Sequence, residues 1–244
     1  MNTPFRVRVF PASAGDLDRL MAFYERERSD ELPPPAVRDL GDTLYDGRTI
    51  VAEDLAGNLC ACAAHVGLTP DQARTYVGEL TGTRVTPRLN GARPLRFHTL
   101  LLGLRLLSHV ATNIETPEDG TTSMITIISS SNVRSLKGIR AAGFVELKDR
   151  PSWLKFDELS WHGRQVEGEW IYFMATGDTV RRVASTLIAA GLFTWKMALE
   201  NDRGPITVEL DGFHDLRLAE ADIRELAEGR YAVDWVPPPE RIAM

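Results

Sequence analysis

The sequence predicts an α/β (α+β) chain in which strands and helices alternate, in two unequal parts. Three observations predict it. Segments with apolar residues at every second position alternate with segments of helical period. Hydrophobic residues make up 43% of the chain and charged residues 25%, a composition that buries a core and does not stay disordered. The charge is unevenly placed: residues 1–166 carry 20 basic and 20 acidic side chains, whereas residues 167–244 carry 8 and 14, so the whole net charge of -6 lies in the last third. That split predicts a main domain over 1–166 and an acidic α/β appendage over 167–244.

Each element follows from its local pattern. Residues 5–10 read Phe-Arg-Val-Arg-Val-Phe, a strand by its period of two. Ser13 stands three before Asp16, a variant of the capping box, and opens a helix whose apolar face is Leu17, Leu20, Met21 and Tyr24. Pro33, Pro34 and Pro35 end that segment. Val37, Leu40 and Leu44 mark a second, short helix. Residues 49–52 and 59–68 read as strands joined by the turn Ala56-Gly57-Asn58. A polar loop over 69–74 leads to a strand at 76–85, and turn-forming residues run from Pro87 to Pro94. Phe97, Leu100, Leu101, Leu104, Leu107 and Ala111 form one stripe of a helix, broken by residues 116–120. Residues 123–129 hold a buried strand, and 132–142 a short helix ended by Gly143, the residue type suited to a left-handed cap. Residues 144–147 and 153–156 are two further strands. The last third adds a strand at 170–175, a helix at 179–190, a strand at 206–210, a helix at 219–228, and a tail ending in Pro237-Pro238-Pro239.

Several function classes are disfavoured. No signal-like pattern opens the chain, and the longest apolar candidate, 95–111, is broken by Arg96, His98, Arg105 and His109. No membrane partner is therefore expected, and the localisation expected is cytoplasmic. The negative balance argues against nucleic acid as a partner. Cys60 and Cys62, two apart on a strand, are expected to point the same way and remain buried, reduced thiols. Two thiols make a poor metal set, and His98 and His109, eleven apart on one helix, cannot share an ion, so no metal is expected. No Gly-x-Ser-x-Gly elbow and no Gly-x-x-x-x-Gly-Lys loop is present. Trp153, Trp161 and Trp170 are expected to close the seam between the two parts.

Three stretches carry a resemblance. The first is Glu79-Leu80-Thr81-Gly82-Thr83-Arg84-Val85-Thr86-Pro87. The second is the loop Asn90-Gly91-Ala92-Arg93-Pro94-Leu95 entering a helix directly after it. The third is Asn132-Val133-Arg134-Ser135, followed by Gly143-Phe144. In this order, within residues 5–165, they resemble the GCN5-related N-acetyltransferase (GNAT) superfamily. The resemblance implies a mixed central sheet flanked by helices, whose fourth and fifth strands part. It implies transfer of an acyl group, in the first place acetyl, from acetyl-CoA or another acyl-CoA to a small-molecule or protein amine acceptor by direct attack. Glu79 would be the general base, and the Val85 N–H would polarise the thioester carbonyl. Asn90, Gly91, Ala92, Arg93 and Leu95 would form the pyrophosphate loop, Asn132 would hold the pantetheine arm, and Ser131 or Ser135 would bring a water near the sulfur. Residues 33–35 and the helix after them would shape the acceptor side.

The chemistry behind these roles is general. A diphosphate needs several N–H groups pointing one way, which a tight loop entering a helix N-terminus supplies. A lysine-like amine of pKa ~10.4 is neutral in only about 1 molecule in 2500 at pH 7, so a positioned carboxylate helps. The chain also departs from the family pattern. Arg93 and Leu95 stand where the loop's small residues belong, or Arg93 alone does if Arg88 opens the motif, and Pro94 has no N–H. Ile139 stands where the family often has a tyrosine acid. Simpler roles stay open: Glu79 pairing with Arg74 or Arg84, Asn132 as a helix cap, and Arg134, Lys137 and Arg140 as a solvated face. Two functions follow, an acyltransferase and a catalytically inactive GNAT-like domain that binds a protein or small ligand. The appendage would cover the acceptor cleft, form a homodimer seam or recruit a partner.

Overall fold

The period-two segments become the nine strands of one mixed sheet. The computed structural model describes residues 4–27, 40–41, 44, 49–68, 76–114, 122–148, 169–213 and 220–229. The strands are β1 (Phe5–Pro11), β2 (Thr49–Asp54), β3 (Leu59–Leu68), β4 (Tyr76–Val85), β5 (Thr122–Ser129), β6 (Val145–Glu146), β7 (Trp170–Met174), β8 (Lys196–Asn201) and β9 (Gly204–Leu210). The helices are α1 (Leu17–Arg26), α2 (Phe97–Ile114), α3 (Val133–Ala141), α4 (Gly177–Ala189) and α5 (Glu220–Ala227). The sheet order is β6-β7-β5-β4-β3-β2-β1-β9-β8. The expected α/β class with a mixed sheet flanked by helices is the class found. The expectations at residues 33–35, 37, 69–74, 116–120 and 153–156, at Trp161, and in the tail lie outside the described residues.

Two apolar layers cover the two faces of the sheet. On one face α1 lays down Leu20, Phe23 and Tyr24, joined by helical Leu40 and Leu44, against Val51, Cys62 and Ala64. On the other face α2 packs against Val7, Val9, Ile50 and Ala52, together with residues of α4, α5, β8 and β9. β2 is buried on both faces, which is why its residues 49–53 are all buried rather than alternating. The capping pair at the start of α1 forms as its spacing implies. Asp16 Oδ2 accepts from the Ser13 N–H at 3.0 Å and from its hydroxyl at 3.1 Å.

The division at residue 166 is not a division of the fold. β7 lies between β5 and β6 and pairs Met174–Trp170 against Ile125–Ser129. β9 adds to β1 in parallel, Phe5 opposite Ile206 through Val9 opposite Leu210. Val180, Val183, Ala184 and Leu187 of α4 join the same core as Leu100, Leu101 and Leu104 of α2. The acidic surface of the last third is real in composition, but charge patterning records what faces water and not which backbones pair.

Two further expectations are corrected. β8 was not expected, although Met197 and Leu199 are buried between exposed Lys196, Ala198 and Glu200, the alternation of a half-buried strand. Cys60 and Cys62 do not point the same way. A bulge, where Ala52 faces Ala61 but Glu53 faces Leu59, places Cys60 beside Ala61 in the α2 layer and leaves Cys62 in the α1 layer. Neither is in a disulfide, and burial pushes both thiols up to about 11. Among the described residues no helix is long and apolar enough to cross a membrane, and no three His, Cys, Asp or Glu side chains gather to hold a metal.

One ion network ties β1, β2 and α1. Glu53 accepts from Arg8 Nη2 at 2.5 Å and from Arg19 Nη2 at 2.6 Å, while Arg19 Nη1 reaches Asp16 at 2.7 Å. Burial works to raise the Glu53 carboxyl, but the bonds from Arg19 and Arg8 outweigh it and hold the group below its ordinary value. Asp16 is held low in the same way, burial being outweighed by the Ser13 bonds and then by Arg19. A carboxyl depressed in the folded state adds stability above its unfolded pKa and loses it as pH falls through the folded value. The urea midpoint is therefore expected to drop between about pH 5 and 3, and Glu53→Gln to flatten that drop. Identical midpoint-against-pH curves for the two proteins would remove Glu53 from the account.

Candidate functional site

β4 and β5 run parallel and pair only over Tyr76–Glu79 against Thr122–Ile125. Beyond that point they separate. β4 stays with β3 to its end, where Ala61 faces Val85, and β5 stays with β7 to Ser129. The two strands thus open a fork toward their carboxyl ends, the side on which parallel α/β sheets hold ligands. Glu79 is the last β4 residue before the fork.

A bulge lies just beyond the fork's apex. Between Cys62 and Ala64 of β3, β4 advances from Arg84 to Thr81, one residue too many for the ladder. A buried cation occupies this place. Arg105 of α2, 2% exposed, donates to the Ala64 carbonyl at 2.5 Å and to the Thr83 hydroxyl at 2.9 Å. Burial lowers its pKa to about 10, which leaves it charged at neutral pH. Past the bulge the ladder is regular, and the Thr86 N–H donates to the Cys60 carbonyl at 2.9 Å. Alternation then turns the Val85 N–H the other way, into the fork.

At the mouth of the fork lies a cleft of about 750 Å3, within the ~300–1,000 Å3 usual for small-ligand sites. The structure brings six of the nine expected site residues to its wall: Val85, Asn90, Gly91, Arg93, Asn132 and Ser135. Gly91 has φ +76°, so the turn there suits glycine. Ala92 and Leu95 are 0% and 3% exposed; their side chains enter the core and are not part of the cleft wall. Glu79 stands at the fork by its backbone. Asn132 caps α3, its Oδ1 accepting from the Ser135 N–H at 3.1 Å, and also faces the cleft, so the two roles coexist.

One backbone donor of the loop is engaged and another is missing. The Arg93 N–H donates to the Glu200 carbonyl of β8 at 2.8 Å, the Glu200 N–H returns to Arg93 at 2.8 Å, and Pro94 has no N–H. The start of α2 faces the cleft with Phe97, His98 and Thr99, whose N–H groups have no partner within the helix. Burial, with Arg105 and Arg96 nearby, lowers His98 to about 4, so it is neutral at pH 7.

Charge is the cleft's most marked property. Arg93, Arg96, Arg134, Lys137 and Arg203 line it, with Asp202 as the one carboxylate among the described residues. Arg140, grouped with Arg134 and Lys137 by sequence, instead pairs with Glu146 at 2.6 Å and lies over the Phe173 ring. Asp202 and Arg203 escaped sequence reading because they sit on the turn between β8 and β9, far along the chain from the loop. Ile139 is 3% exposed and part of the core, so it lines nothing.

No protein-family model matches the chain, and no curated protein does. Solved structures do. A GNAT-family acetyltransferase from Bacillus cereus is 16% identical, with 70% of this chain and 96% of that one covered at a TM-score of 0.42. Arabidopsis thaliana Naa50, in complex with the bisubstrate analogue CoA-Ac-MVNAL, is 12% identical over 69% and 96% of the two chains, at a TM-score of 0.45. An N-acetyltransferase from Staphylococcus aureus is 13% identical over 68% and 96%, at 0.45. The fold rests on this chain's own strands: a mixed sheet flanked by helices, parted between β4 and β5 above a helix-mouth cleft. That arrangement is the one the sequence resemblance implied, with Arg93 and Leu95 in the loop and a core isoleucine at residue 139.

Proposed function

We propose that the chain binds an acyl-coenzyme A in this cleft and transfers its acyl group, in the first place acetyl, to an amine. The fork carries the reading: an extended thioester arm needs a slot between two strands, and the one here opens beside a wall of five cations. The diphosphate meets Arg96 and the first turn of α2, where N–H groups and helix dipole favour an anion. The arm runs into the fork past Asn132, and the thioester oxygen meets the Val85 N–H. The acceptor amine attacks the carbonyl carbon, the C–S bond breaks as the intermediate collapses, and the sulfur leaves as a thiolate. Glu79, at the fork's apex, takes the proton that the amine sheds. A thiol of ordinary pKa ~8.5 is a good leaving group, so Ile139 in place of a tyrosine slows the step without closing it.

Binding is tested first. Acetyl-CoA at about 100 times its dissociation constant stabilises the native state by ~2.7 kcal/mol, which for a chain of this size raises the melting temperature by about 5–10 °C. No shift at millimolar acetyl-CoA overturns the reading. A second reading draws on Ile139 and on the engaged Arg93 N–H: a domain that binds the ligand without turning it over. Stabilisation by acetyl-CoA together with no CoA release against a panel of amines favours that one.

A further inference from the structure

The hairpin of β8 and β9 belongs to the last third of the chain, outside the region of family resemblance, yet its turn forms one wall of the cleft. Its attachment is made by backbone and by two side chains, one of them Arg88, whose Nη1 donates to the Arg203 carbonyl at 3.4 Å. Besides the paired bonds between Arg93 and Glu200, Asn201 Nδ2 donates to the Arg88 carbonyl at 2.9 Å and to the Asn90 carbonyl at 3.1 Å. The Asn201 Oδ1 accepts from the Arg203 N–H at 3.0 Å, so the same side chain shapes the turn that presents Arg203. The loop after β4 is thereby held from outside at residues 88, 90 and 93.

This bracing has an electrostatic consequence. It consumes the Arg93 N–H, in a loop that already lacks one at Pro94, so the loop has fewer backbone donors for an anion. In the same place the turn brings Arg203 to the cleft. None of Arg93, Arg96, Arg134, Lys137 and Arg203 is ion-paired among the described residues, where Arg8, Arg19, Arg140, Arg182 and Arg224 all are. Five cations with no ion pair among the described residues, gathered in one cleft beside Asp202, repel one another, and a bound polyanion relieves that repulsion.

We infer that the β8–β9 hairpin is a working wall of the ligand site, with Arg203 a phosphate-binding residue and Asn201 the positioning residue that fixes both the turn and the loop. The inference rests on the acyl-coenzyme A reading for the identity of the ligand, whose 3′-phosphate and diphosphate supply the negative charge. Arg203 is exposed, so its replacement leaves the core intact.

The test is calorimetric titration of the full chain with coenzyme A and, separately, with inorganic pyrophosphate. A charge-assisted bond to phosphate predicts that Arg203→Ala weakens binding of each by about 10- to 100-fold, with Arg203→Lys between it and the parent. Asn201→Ala is expected to speed amide hydrogen exchange over residues 88–96 and to weaken both ligands by a smaller factor. If the parent binds both ligands and Arg203→Ala binds them equally well, the hairpin inference falls and the acyl-coenzyme A reading stands. If the parent binds pyrophosphate but not coenzyme A, that reading falls, and the pyrophosphate series alone decides the role of Arg203. If the parent binds neither, both fall.

Discussion

Residues 1–166 on their own are expected to show no cooperative unfolding transition. Ending the chain there removes β7 from the edge of β5 and β9 from the edge of β1, leaving Ile125–Ser129 and Phe5–Val9 without those partners. It also strips Val180, Val183, Ala184 and Leu187 from α2 and takes Phe173, which is fully buried, out of the core. Each large apolar side chain in that set is worth ~1.5–3 kcal/mol of burial, and their sum reaches the ~5–15 kcal/mol that keeps a domain folded. Near-ultraviolet circular dichroism and a thermal melt of the fragment measure this. A sharp transition near the full-length midpoint would show that the last third is dispensable after all. A single replacement probes the same point within the full chain: Phe173→Ala is expected to cost ~3–5 kcal/mol in urea unfolding. A cost below about 1 kcal/mol there would place β7 outside the shared core.

Glu79→Gln is expected to lower turnover by about 10²- to 10⁴-fold while leaving coenzyme A affinity near that of the parent. The position argues for it: Glu79 is where β4 last pairs with β5, so it borders the slot at its closed end. Glutamine keeps the size of the side chain and removes the proton acceptor. The loss should therefore appear in the rate and narrow as the pH approaches the pKa of the amine, where the acceptor is already neutral. Steady-state rates from pH 6 to 10, paired with calorimetric affinities, separate the two effects. Equal rates for variant and parent at pH 7 would take Glu79 out of the reaction.

Much of the architecture was legible before any coordinates. The run of β4 appears residue for residue, as does the start of α2, because both are long and strongly patterned. The Ser13–Asp16 cap and the Asn132 cap are contacts between neighbours three residues apart, which spacing alone can reveal. Six of the nine site positions reach the cleft or its wall because the loop and the α3 cap follow strands whose ends were correctly placed. Ala92 and Leu95 do not, because a loop that covers a core must turn some side chains inward, and neither small size nor position in a motif says which.

By itself the sequence determined most of the described strands and helices, β8 excepted, and the loop–helix and cap–helix stretches that meet at the site. Only the tertiary structure decided that 167–244 shares the sheet of 1–166, that Cys60 and Cys62 face opposite layers, and that Asp202 and Arg203 stand across from Arg93. The reason is physical. Side-chain period reports which face of an element meets water, but strand partners are chosen through backbone N–H and C=O groups that nearly every residue carries alike. A bulge or a pairing between residues 93 and 200 therefore leaves little trace in composition or spacing, yet it sets which side chains line the cleft.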